Sequence, residues 1–178
     1  MKNWYALRVK SNFEKVTQAS LRQHDMEEFL PVYQKKSRWS DRVKTLERPL
    51  FPGYVFGRFD PNHRLPVLMM PGVVHILGNS AGPIAVDEEE LQAIRRSVDS
   101  GRIVMPWPYL AVGDSVVVKD GALAGLQGIL IRAKDSSRIV LSLTLMQRSV
   151  AVELDRDGVR PVQRPGRLSS TAILSLSR

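Results

Sequence analysis

The sequence predicts a two-part chain, an α+β domain over residues 1–99 followed by a small all-β barrel over residues 111–163. Three observations carry that prediction. Strand-like and helix-like segments alternate through the first hundred residues. A proline-rich break at 100–110 cannot continue a helix. After it come short β-branched runs separated by turn signals. The 178 residues allow one domain or two small ones, and 43% hydrophobic content supplies packed cores.

Residues 4–10 read as a strand, with Tyr5, Leu7 and Val9 alternating against Ala6, Arg8 and Lys10. Ser11 with Glu14 three residues on forms a capping box, which starts a helix reaching Gln23 or His24. Its thin apolar stripe (Phe13, Val16, Leu21) suits a helix that covers a sheet. Phe29–Tyr33 reads as a second strand, with Pro31 marking an edge or an irregular start. Residues 34–48 then place Lys35, Lys36, Arg38, Arg42, Lys44 and Arg48 against only Asp41 and Glu47. This is a hairpin arm or loop with a turn at Trp39-Ser40-Asp41. It is either a solvated arm or, the reading we favour, a surface that follows a phosphate backbone with Trp39 free to stack.

Phe51–Phe59 (FPGYVFGRF) is the most distinctive stretch. Pro52 and Gly53 set a bend that feeds a strand rich in rings. Two readings stand at this point, a core strand or an open apolar pocket of the kind that binds partners. Asp60-Pro61-Asn62 then starts a short helix over His63–Met70, with Asp60 as its cap, and Pro71-Gly72 ends it. Val73–Leu77 is a strand and 78–83 a loop. Asp87–Glu90 open a helix through Val98, with acids at the dipole-favoured end and Leu91, Ile94 and Val98 at helical spacing.

Met105-Pro106-Trp107-Pro108 forces extended geometry and reads as an interdomain linker. Beyond it, Ser115–Val118, Ile129–Ala133, Arg138–Leu145, Val150–Leu154 and Val159–Val162 read as strands, with Gly121, Gly125 and Gly128 punctuating the first connection. So many strands in so short a length fit a strongly bent barrel better than a sandwich. Residues 164–178 read as a loose, Ser-rich tail.

Composition narrows the function. There is no Cys, hence no disulfide or thiolate metal site, which suits a reducing cytoplasm. The start lacks an apolar signal region, and no apolar run is long enough to span a bilayer. A net charge of +8 fits a polyanion partner or simply solvated cations. The three His (His24, His63, His75) show no metal spacing and no nucleophile–base pairing, so neither an enzyme, a cofactor nor a metal is expected.

Four stretches in order carry a family resemblance: Trp4-Tyr5; Phe51-Pro52-Gly53-Tyr54-Val55; Pro83-Ile84 leading into the 87–94 helix; and Val112-Gly113-Asp114, Val116–Val118, Gly121, Gly125, Gly128 and Val152–Leu154. Jointly, over residues 3–163, they resemble the bacterial NusG family of transcription elongation factors, an NGN domain followed by a KOW domain. The resemblance implies a four-stranded antiparallel sheet flanked by helices, then an SH3-like barrel. It implies that an apolar depression formed by Trp4, Tyr5, Phe51, Pro52 and Tyr54 grips the clamp helices of the largest catalytic subunit of RNA polymerase. It also implies contact with the non-template DNA strand. For that contact Lys10 matches a basic position of specialised members, Asn12 and His75 are further candidates, and Arg8, Arg38 and Arg42 are weaker ones. For His75 a surface or packed histidine is an equal reading. The barrel would recruit a small-subunit ribosomal protein or the termination factor Rho through the turn holding Leu145 and Met146, and Met146 reads equally as a packing residue.

The expected protein is thus a monomeric, cytoplasmic elongation or antitermination factor. The 34–49 segment lacks the glycine-rich tip of general members, and with the Pro-Trp-Pro linker it resembles the specialised RfaH-like branch. An interdomain mask over the depression, with Trp107 as a strut, is a further expectation. The alternative reading is a KOW-containing, ribosome-associated RNA-binding protein.

Overall fold

The computed structural model describes residues 1–38, 43–107, 115–133, 136–154 and 159–162. The first domain runs β1 (Asn3–Val9), α1 (Glu14–Gln23), β2 (Glu27–Phe29), β3 (Val32–Arg38), β4 (Val43–Pro49) and β5 (Tyr54–Phe59). It continues with α2 (Leu65–Leu68), β6 (Val73–Ile76), β7 (Gly78–Asn79), β8 (Gly82–Pro83) and α3 (Glu88–Asp99). Four strands form one antiparallel sheet in the order β2-β5-β1-β6.

The two-residue period of β1 decides which helix covers which face. Tyr5, Leu7 and Val9 point to one side, where they pack with Leu21 of α1, Val55 and Phe59 of β5, and Val67 of α2. Trp4 and Ala6 point to the other, with Phe56 of β5 and with Leu91 and Ile94 of α3. All of these are buried. Each such aliphatic side chain contributes about 1.5–3 kcal/mol relative to exposure. As the sequence predicts, Asp87 caps α3 by accepting from the Glu90 N–H at 3.0 Å. Asp60 caps a short 3-10 turn (Pro61–His63) by accepting from the Asn62 N–H at 3.0 Å.

Several expectations are corrected. The capping box does not form: Phe13 occupies the cap position of α1 without a side-chain bond, and the Glu14 carboxylate turns elsewhere. The predicted strand Phe29–Tyr33 is broken at Leu30-Pro31, because proline cannot donate to a ladder. Its first part, in β2, stays in the main sheet and its second, in β3, pairs with β4 in a separate two-stranded ribbon. The tip of that ribbon, residues 39–42, lies outside the described residues, and with it Trp39 and Arg42. The predicted helix over His63–Met70 shrinks to the 3-10 turn and four residues of α2. The 78–83 loop contains the small hairpin β7–β8.

The second domain contains β9 (Val104–Trp107), β10 (Ser115–Val118), β11 (Gln127–Ala133), β12 (Ser136–Leu143), β13 (Arg148–Leu154) and β14 (Val159–Pro161), in the order β14-β10-β11-β12-β13-β9. Residues read as linker therefore supply an edge strand, with Val104 opposite Val152 and Trp107 opposite Ser149. Pro106 is tolerated there because an edge strand leaves one side of its backbone unpaired. Gly128 lets β12 approach closely: a Cβ at that position would lie 2.6 Å from the Val140 carbonyl oxygen. The 164–178 tail lies outside the described residues.

Candidate functional site

The Phe51–Tyr54 bend is built by its own backbone and gripped by its neighbours. Gly53 has φ +78°, a left-handed conformation that side chains resist, and the Tyr54 N–H donates to the Phe51 carbonyl at 3.1 Å. The Gly53 carbonyl accepts from the Val9 N–H at 2.9 Å, and its N–H donates to Glu14 Oε1 at 2.9 Å. The Arg8 guanidinium reaches the Pro52 and Gly53 carbonyls at 3.5 and 3.4 Å and lies 5.0 Å from the Tyr54 ring centroid. A Cβ on Gly53 would sit 2.3 Å from Arg8 Nη1, so a side chain there would displace the guanidinium from the bend.

The bend delivers Phe51 to the Trp4 face of the sheet. Phe51 packs edge-on against Phe56, with centroids 5.9 Å apart at 88°, and Phe29 lies 6.2 Å from Phe56. Arg95 of α3 stacks over both Trp4 (5.2 Å) and Phe29 (4.7 Å). Trp4 Nε1 is buried without an acceptor, which costs about 1–3 kcal/mol. Trp4, Phe51, Pro52 and Tyr54 thus gather at one face and the bend beside it. Tyr5 does not join them: strand alternation sends it to the opposite face, where it stacks on Phe59 at 4.8 Å.

Trp4 and Phe51 are each only 2% exposed, in a cluster that holds both α3 and side chains of the second domain. One apolar cluster holds Trp4, Leu50 and Phe51 together with Val150, Val152 and Leu143, and Tyr54, Leu145 and Met146 pack against it half-buried. Arg148 of β13 approaches the Tyr54 ring at 5.9 Å. On the same side, Glu90 of α3 accepts from the Thr144 N–H at 2.9 Å and from Thr144 Oγ1 at 2.5 Å. A cleft of about 450 Å³ runs between α3 and strands β11 and β12. Trp107 sits in β9 near Arg138 (5.9 Å), paired with the barrel strand β13.

Lys10, Asn12 and His75 are exposed at one end of the β1–β6 pair. The Lys10 N–H donates to the Gly72 carbonyl at 2.8 Å, His75 lies opposite Arg8 in the ladder, and Asn12 adopts φ 66°. Exposed Phe13 and Val74 flank them. Arg38 ends β3, where its backbone pairs with Val43 of β4. Sequence reasoning missed Glu14, Glu90, Arg95 and Arg148. Glu14 and Glu90 showed only as helix-start acids, without their distant partners Gly53 and Thr144. Among the described residues no group of three or more His, Asp or Glu could hold a metal ion, and no helix is long and apolar enough to cross a membrane.

A shared aromatic face and interdomain packing are the features of a protein that binds partners. A family model described as transcription termination factor nusG matches residues 2–95, more than half of the chain. The transcription termination/antitermination protein NusG of Pseudomonas aeruginosa is 30% identical over 175 residues, covering 90% of this chain and 99% of that one. The protein of the same name from Lactococcus lactis is 25% identical over 140 residues, 75% of this chain and 74% of its own. A solved structure described as domain interaction in Thermotoga maritima NusG superposes with a TM-score of 0.58 at 18% identity, over 92% of this chain and 98% of that one, a likeness of fold. The chain belongs to the NusG family of transcription termination/antitermination factors, and it is not an enzyme. The relatives named here carry the general factor's name, not that of the specialised branch.

Proposed function

We infer that this chain is an elongation or antitermination factor that binds the clamp helices of RNA polymerase through Trp4, Phe51, Pro52 and Tyr54, with Tyr5 a buried support behind them. It suppresses pausing or termination by binding the elongating conformation better than the paused one. One observation carries this reading. The aromatic face of the first domain, covered in part by its own α3, shares one apolar cluster with Leu143, Val150 and Val152 of the second domain, which follows on a short connection. An apolar face covered in part by a docked domain becomes a partner site when the docking releases.

The Leu145–Met146 turn, proposed to take a ribosomal protein or Rho, packs against the same cluster. The docked arrangement is therefore a closed form, and either partner requires it to open. Lys10, Asn12 and His75 form the proposed contact to the non-template strand, with Arg38 and Arg42 as further basic candidates.

The test is an in vitro pause assay with purified polymerase, comparing wild type with Phe51→Asp and with Tyr54→Asp, whose half-buried position tolerates change better. Fewer pauses with wild type and none suppressed by either folded variant support the reading. Equal pause suppression by all three overturns it.

A further inference from the structure

We propose that Glu14 is a positioning residue for the polymerase-binding face: its carboxylate holds the Gly53 amide and so fixes the angle at which Phe51, Pro52 and Tyr54 are presented. The proposal rests on the reading of that face given above. Glu14 is only 8% exposed, and a carboxylate so buried is found in proteins when something pairs with it. Its partner is not the start of its own helix, since α1 has no side-chain cap. The partner is the Gly53 N–H, at 2.9 Å and 39 residues away in the chain.

The peptide groups of the bend need such a hold. β5 begins only at Tyr54, so no ladder on that side fixes Gly53. Its carbonyl is tied to Val9 and approached by Arg8; its N–H is tied to Glu14. With both groups held, the glycine has one conformation although its φ is free of side-chain constraint. Without the carboxylate the N–H is buried and orphaned, and the bend must be ordered at the moment of binding, which weakens affinity.

The experiment uses the full chain in a common Glu90→Ala background, so that docking of the second domain does not dominate the readings. Affinity for core polymerase is measured for that protein and for added Glu14→Gln, Glu14→Ala and Phe51→Asp. Gln keeps an acceptor oxygen and is expected within about threefold of the parent, whereas Ala is expected about tenfold weaker. Amide exchange separates positioning from general loss of stability. In Glu14→Ala, protection at Gly53 is expected to fall while Leu7, in the middle of β1, keeps its own, and Glu14→Gln restores Gly53. Unchanged affinity in Glu14→Ala beside a loss in Phe51→Asp overturns the proposal and leaves the face standing. Equal loss of protection at Gly53 and Leu7 overturns it as well. Unchanged affinity in Phe51→Asp overturns the reading of the face itself.

Discussion

Glu90→Ala is expected to strengthen binding to polymerase although Glu90 is no part of the proposed binding face. In the closed form its carboxylate accepts two hydrogen bonds from Thr144, at 2.9 Å and 2.5 Å, both in solvent-exposed surroundings. Bonds to a charged acceptor are stronger than neutral ones, but water competes for exposed groups, so the pair contributes about 1–2 kcal/mol to docking. Removing it shifts the ratio of open to closed molecules about 5–30-fold. When only the open form binds, apparent affinity scales with the open fraction, so the gain approaches the same factor while the closed form dominates. Alanine is the best helix former, and Asp87 still caps α3, so the helix persists. The assay is a titration of labelled protein with core polymerase, run beside Thr144→Val, which removes only the hydroxyl bond and is expected to give a smaller gain. Unchanged or weaker affinity in Glu90→Ala, with the melting temperature preserved, refutes the closed-form argument.

Three further outcomes are expected. Gly53→Ala meets the left-handed φ and displaces the Arg8 guanidinium, and is expected to destabilise the first domain by about 1–2 kcal/mol, read as a lower melting temperature. Lys10→Ala is expected to weaken single-stranded DNA binding and make the slope of log affinity against log salt shallower by about 0.7, checked by salt titration of a labelled oligonucleotide; an unchanged slope removes Lys10 from the contact. The hydrogen bond and charge of Lys15 hold the Glu47 carboxyl below its ordinary range, and this pair ties β4 to α1. A lowered carboxyl contributes stability above its unfolded value and loses it as pH falls through the folded value. Amide protection in the ribbon, taken relative to the intrinsic exchange rate at each pH, is therefore expected to fall at acid pH in wild type, with that step absent in Lys15→Ala.

Much of the fold was legible because burial and periodicity coincide. The alternation in β1 and the 3.6-residue spacing of Leu91 and Ile94 each name a face, and both faces are found covered. What was not legible depends on partners distant in the chain. Glu14 looks like a capping-box member because local spacing is all a sequence displays, while its bond is to Gly53. Val104–Trp107 looks like a linker because two prolines flank the tryptophan, yet an exposed edge position accepts Pro106. Tyr5 was grouped with Trp4 through adjacency in a motif, although adjacency in a strand puts neighbours on opposite faces. Arg148 and Glu90 carried no local signal, since their roles arise only when the domains meet.

On the function proposed above, the two readings of the Phe51 stretch, core or pocket, describe two states of one surface. In the docked form Trp4 and Phe51 are as buried as any core residue, and each such ring is worth about 1.5–3 kcal/mol of removal from water. That burial is intramolecular, so a partner must match it before any net affinity appears. The half-buried Leu145 and Met146 belong to the same contact, so a ligand for the second domain competes with it too. Whatever opens the face for one partner removes the same opening cost for the other, and linkage makes the gain equal in both directions. The size of that coupling is bounded by the docking energy. Glu90→Ala, which lowers the docking energy, should therefore shrink the cooperativity between partners even as it raises affinity for each.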